Sequence, residues 1–168
     1  MTTLLVLGSG LGGLAERIER AERIPYRDLP GFPETTVPGH AGELVCGRLG
    51  GREVIAQSGR FHVYEGHDAA TSALAIRWAA ARGAVAVLLT NAAGGIRRTF
   101  RPGTLMLIAD HVNLTFRSPL TGPVRPGEFR FPDMSDPYDP ALRRLAREVA
   151  AARGIALEEG VYGGGLGP

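Results

Sequence analysis

A chain of 168 residues is long enough for one domain with a sizeable core, and a balance of 44% hydrophobic to 21% charged residues is that expected of an ordinary soluble globular protein. The net charge of +2 comes from arginines scattered along the chain, and no block of like charge reads as a nucleic-acid arm. A single cysteine excludes an internal disulfide framework. With no apolar run of membrane length and a start too short and glycine-rich for a signal peptide, a cytoplasmic protein is expected.

In chain order, residues 3–8 (TLLVLG) form a short continuous apolar run, as expected of a strand buried on both faces. GSGLGGL then turns the chain toward a modest helix over about residues 14–22. From Ile24 to His40 the chain is rich in proline and glycine and predicts a long ordered loop. Glu43–Leu49 and Arg52–Ser58 flank Gly50-Gly51, a hairpin signal. Cys46 sits in the first of these runs, where a small buried hydrophobe is its expected role. Residues 71–82 predict a helix capped by Thr71 and stopped by Gly83. Ala84–Thr90, the most apolar run, predicts a central strand, and Thr104–Ala109 another. A second long loop, residues 113–137, is followed by an amphipathic helix over Pro140–Arg153 and a strand over Ile155–Tyr162. Strands alternating with helices predict one α/β layered domain over residues 1–168, with a parallel or mixed sheet. The glycine-rich and polar motifs fall at strand ends, where open α/β sheets bind ligands.

The densest of these motifs is GRFHVYEGH, residues 59–67. An extended backbone would set Arg60, His62 and Tyr64 on one side. Guanidinium and imidazole suit an oxyanion such as phosphate, and a tyrosine beside them suits a sugar. The alternative is a polar surface loop. Gly8–Gly13 formally satisfies G-x-G-x-x-G, yet a dinucleotide site needs a second strand ending in an acidic residue about 20 residues on, where this chain has its proline-rich loop. A nicotinamide enzyme is therefore not expected. What survives is a turn with exposed N–H groups and the Ser9 hydroxyl, which is either an anion site or a tight turn needing glycine for its angles. Asn91-Ala92-Ala93-Gly94-Gly95 is a further small-residue turn that lets a ligand approach the backbone, or a plain strand-to-loop turn. His40, in VPGHAG, is either a closing residue or a surface histidine. His111, after the strand ending at Ala109, reads equally as a buried histidine satisfied by neighbours. His62 and His67 lack a third ligand, so no metal is expected. No nucleophile elbow occurs, and covalent catalysis is not expected.

Together GSGLGGL, VPGHAG, GRFHVYEGH, TNAAGG, DHVNL and RFPDMSDPYD occur in an order and spacing that resemble the trimeric class of purine nucleoside phosphorylases. The likeness runs through nearly the whole chain. The sister methylthioadenosine phosphorylases carry a different pattern where this chain has GRFHVYEG. The resemblance implies a nucleoside phosphorylase/hydrolase-like fold, a central mixed β-sheet flanked by helices. It implies phosphorolysis of purine ribonucleosides or deoxyribonucleosides to free base and pentose 1-phosphate, with phosphate as co-substrate and no cofactor. Ser9, Arg60, His62, the backbone of Ala92 and His40 match phosphate-binding positions. Tyr64 matches the ribose contact, Glu65 the residue that orients His62, and Ala92, Ala93 and Gly94 the nucleoside-side turn. Phe131 resembles a phenylalanine lent by a neighbouring subunit, which implies a homotrimer without nucleic-acid or membrane partners.

The same resemblance implies a purine-binding Ser-aromatic-Glu-Thr motif, a further phosphate serine, a base-selecting asparagine and a ribose-side histidine beyond Pro168. The chain is accordingly expected to be the N-terminal portion of such an enzyme, with Gly163-Gly164-Gly165 standing where bulkier apolar residues are usual. The alternative expectation is a catalytically inactive chain that binds phosphate without turnover.

Overall fold

The computed structural model describes residues 1–33 and 42–166, which group into two compact units, Met1–Ala93 and Gly94–Pro168. The first is built on a five-stranded mixed sheet of β1 (Thr2–Leu7), β2 (Glu19–Pro25), β3 (Glu43–Leu49), β4 (Arg52–Ser58) and β5 (Ala84–Leu89), in the order β2-β3-β4-β1-β5. β1 runs parallel to both β4 and β5, while β3 pairs antiparallel with β4 and with β2.

The apolar run of β1 sends alternate side chains to opposite faces, and both faces are covered. On one face Leu4, Val6, Leu44 and Ile55 pack with Tyr26, Leu29, Phe61, Ala75 and Ala79. On the other, Leu5, Leu7, Val45, Val54 and Ala56 pack with Ala15 and Ile18. Leu4 and Leu44 are wholly excluded from solvent, which stabilises the fold by about 1.5–3 kcal/mol per side chain. After the short helix α1 (Ala69–Ser72), α2 (Leu74–Ala80) covers the first face through Ala75 and Ala79, and the 3-10 helix Gly12–Arg17 covers the second through Ala15.

The hairpin between β3 and β4 is as expected. Leu49 pairs with Arg52, leaving a two-residue loop in which Gly50 and Gly51 take φ of 57° and 76°. Two successive positive φ values make the turn whose twist matches the strands, and glycine adopts them without strain.

Three expectations are corrected. The helix over residues 14–22 is only the short 3-10 turn, after which β2 forms an edge strand with its residues from Glu19 to Arg23 exposed. Such a strand shows no alternation of apolar residues, because its backbone ladder to β3 holds it and its charges face water. The helix over 71–82 is two helices, and its cap is Asp68, whose carboxylate accepts from the Thr71 N–H at 2.7 Å. β5 is an edge strand among the described residues: it pairs with β1 alone, and Val85, Val87, Leu88 and Leu89 are each at least 40% exposed. Apolar composition reports what a strand is suited to bury, not which strands flank it.

The second unit holds the parallel pair β6 (Leu105–Asn113) and β7 (Leu157–Gly164), connected through α3 (Pro140–Ala152), which packs against β6. Asp139 caps α3 by accepting from the Leu142 N–H at 2.8 Å, and Pro140 opens it, where a missing N–H costs nothing. β6 is longer than expected and bulges between Ile108 and Asp110, so His111 lies within it. The Tyr138 hydroxyl and His111 Nδ1 share a hydrogen bond at 3.2 Å, so this histidine is satisfied by a neighbour. Gly163 and Gly164 lie inside β7, paired with Val112 and Asn113.

Candidate functional site

The parallel pairing of β1 with β4 and β5 brings three carboxyl ends to one edge of the first sheet, with Leu7 opposite Ser58 and Val6 opposite Leu89. The chain leaves each end through a motif singled out above. After β1, Gly8 accepts from the Leu11 N–H at 3.1 Å, closing a turn with Ser9 and Gly10 at its centre and Ser9 exposed. After β4 comes Gly59-Arg60, and after β5 Thr90 leads to Asn91-Ala92-Ala93, which are exposed and in no regular element.

Thr90 ties these exits together. Its Oγ1 accepts from the Gly8 N–H at 2.8 Å and donates to the Val6 carbonyl at 2.8 Å. Its carbonyl accepts from Arg60 Nη1 at 3.2 Å. A Cβ on Gly8 would lie 2.7 Å from that carbonyl and 2.9 Å from Asn91 Cα, so only glycine lets the β1 exit pass so close to the β5 exit. From below, the buried Tyr26 hydroxyl donates to the Gly59 carbonyl and anchors the start of the Arg60 segment. Burial pushes this phenol well above its ordinary range, so it remains a donor.

The extended backbone that would set Arg60, His62 and Tyr64 on one side does not run on past His62: Val63–Glu65 closes into a 3-10 turn. Glu65 Oε2 accepts from the His62 N–H and from His62 Nδ1, both at 2.9 Å. The carboxylate is 8% exposed and the imidazole 19%. A carboxylate on Nδ1 fixes the tautomer and the ring plane. Tyr64, 52% exposed, stacks on the His62 ring with centroids 4.7 Å apart and planes at 15°. Phe61 points the other way, into the core with Tyr26 and Phe32, and sets His67 edge-on at 5.3 Å. The segment thus presents a guanidinium, an oriented imidazole and an exposed phenol from a base fixed by buried aromatics. That set can hold an oxyanion by charge-assisted hydrogen bonds beside a ring-bearing polyol.

Of the remaining residues, His40 lies outside the described residues. Gly94 begins the second unit. Phe131 also belongs to that unit, on the loop between β6 and α3, where it is 90% exposed. Arg130 beside it donates to the Leu120 and Gly122 carbonyls at 2.8 and 2.6 Å, fixing the loop's shape. Thr90, Tyr26 and Asp68 were not singled out from sequence. Thr90 was legible as a hydroxyl at the end of an apolar strand, directly before a small-residue turn. Tyr26 was not, because its partner Gly59 lies 33 residues away. Among the described residues no cluster of potential metal ligands occurs, and no helix is long and apolar enough to cross a membrane.

Comparison with known proteins adds relatives to this geometry. The chain is 48% identical over 165 residues to purine nucleoside phosphorylase 1 of Geobacillus stearothermophilus, covering 98% of this chain and 60% of that protein. It is 43% identical to the Bos taurus purine nucleoside phosphorylase, covering 94% and 57%. Among solved structures, it is similar to isoform 2 of the Schistosoma mansoni purine nucleoside phosphorylase in complex with cytosine and ribose-1-phosphate, at a TM-score of 0.91, 42% identity, and coverage of 99% and 60%. The same organism's enzyme in complex with inosine matches at 0.91 and 38%, with coverage of 99% and 60%. The chain therefore spans about three fifths of the length of the curated relatives it matches. The model of the Phosphorylase superfamily matches residues 2–168, and the chain belongs to that family.

Proposed function

We propose that this chain carries the phosphate and ribose side of a purine nucleoside phosphorylase, which converts a purine ribonucleoside or deoxyribonucleoside and phosphate to free base and pentose 1-phosphate. The observation that carries the reading is the shared sheet edge: the Ser9 turn, Arg60 and the Ala92 turn meet through Thr90, with the His62–Glu65 pair and Tyr64 following directly from Arg60. Similarity to purine nucleoside phosphorylases over nearly the whole chain supports it.

In this reading Ser9, Arg60, His62, the Ala92 N–H and His40 hold phosphate, Tyr64 lies against the ribose, and Ala92, Ala93 and Gly94 border the nucleoside. A phosphate oxygen bonds to the anomeric carbon as the glycosidic C–N bond breaks. The electron pair leaves with the purine, which takes up a proton. Positive charge growing on the sugar is stabilised by the phosphate dianion, so a fixed dianion in line with the anomeric carbon supplies both proximity and electrostatics. Glu65 keeps the His62 ring oriented throughout. Phe131 serves the site of a neighbouring subunit in a homotrimer.

The test is base release from inosine and adenosine by the purified protein, with and without phosphate. Release that requires phosphate and yields pentose 1-phosphate is expected. Equal release without phosphate would make the chemistry hydrolysis, and no release under either condition would return the alternative of phosphate binding without turnover.

A further inference from the structure

We propose that Thr90 is a positioning residue of the anion site, its hydroxyl locking the Ser9 turn and its carbonyl aiming Arg60. The proposal rests on the reading of this sheet edge as a phosphate site, and goes beyond it by assigning a role to a residue that need not touch phosphate. Gly8 is buried, and its N–H lies past the last β1 residue paired with β5, so it needs a partner that the ladder does not supply. Thr90 Oγ1 is that partner at 2.8 Å, and the same hydroxyl donates to the Val6 carbonyl at 2.8 Å. The Thr90 N–H donates to that carbonyl too, at 3.1 Å, so the residue is held at two points and cannot swing away. With its position set, its carbonyl at 3.2 Å from Arg60 Nη1 fixes where the guanidinium ends.

Threonine is specified here by chemistry rather than shape. Valine would fill the same volume but leave the buried Gly8 N–H without an acceptor, which turns a lock into a repulsive contact. The loss would be felt by the Ser9 turn and by Arg60 together, hence by phosphate more than by nucleoside. A displacement of about 1 Å in such a site can cost as much as a hundredfold in rate.

The experiment compares Thr90→Val and Thr90→Ser with the unsubstituted protein in phosphorolysis of inosine, alongside hydrogen exchange of the Gly8 amide. Expected are a protected Gly8 amide in the unsubstituted protein, and a phosphate KM raised about tenfold or more in Thr90→Val with the inosine KM within about twofold. Thr90→Ser restores both the protection and the phosphate KM. An active unsubstituted protein beside a Thr90→Val of unchanged phosphate KM overturns the positioning role alone. A protein without phosphate-dependent turnover removes the functional reading and this proposal with it. Gly8 exchange at the rate of an open loop, read without any substitution, overturns the lock even if Thr90→Val does not fold.

Discussion

Glu65 Oε2 accepts from both the backbone N–H and the Nδ1 of His62, so one oxygen closes the 3-10 turn and orients the ring. At 8% exposure little water competes for that oxygen. Glu65→Ala removes that shared acceptor and with it both bonds. The expected result is a fall of at least about tenfold in kcat/KM for phosphate, and a His62 ring no longer held in one tautomer, visible in its nitrogen NMR signals. Unchanged kinetics with the wild-type tautomer would remove the orienting role. Sequence showed every member of this group, because GRFHVYEGH is contiguous. It did not show their geometry: only an extended backbone would align Arg60, His62 and Tyr64, whereas the turn folds Glu65 back and stacks Tyr64 on His62. The side chain that closes the turn is Glu65 reaching back to the His62 N–H, while the Glu65 N–H donates to the His62 carbonyl at 3.1 Å.

Elements that bury both faces or turn on glycine pairs were legible, since β1, β4 and the β3–β4 hairpin each carry a local pattern that tertiary packing also demands. β2 and β5 were not, because edge position is a property of partners elsewhere in the chain. The start of α1 shows how local chemistry decides a boundary. Asp68 and Thr71 both suit a cap, and the carboxylate takes the role. Hydrogen bonds from Thr71 hold the Asp68 carboxyl below its ordinary value of 3.8. A pKa depressed on folding contributes stability that is full above the unfolded value and is lost as pH falls through the folded one. Asp68→Ala should therefore lower the melting temperature near neutral pH, and the gap from wild type should close as pH drops below 3.8. A gap of constant size down to strong acid would show that the carboxylate charge is not what caps the helix.

For the whole molecule, the proposed phosphate side on the first unit's sheet edge and the exposed Phe131 on a pinned loop of the second unit call for a test of assembly. An aromatic ring left 90% in water gains by entering a partner's pocket, and a closed ring of heterologous contacts gives every copy one donor and one acceptor face. In the proposed trimer, Arg60→Ala disables a subunit's own phosphate grip and Phe131→Ala disables the ring it lends. Each variant alone should turn over poorly at inosine concentrations below KM. Refolded together in equal amounts, they should regain roughly a quarter of wild-type activity, since one site in four pairs an intact Arg60 with an intact partner Phe131. Mixing that yields only the average of the two variants would show that each site is complete within one chain. Recovery near a quarter would place Phe131 across a subunit boundary, with activity depending on protein concentration as the assembly dissociates.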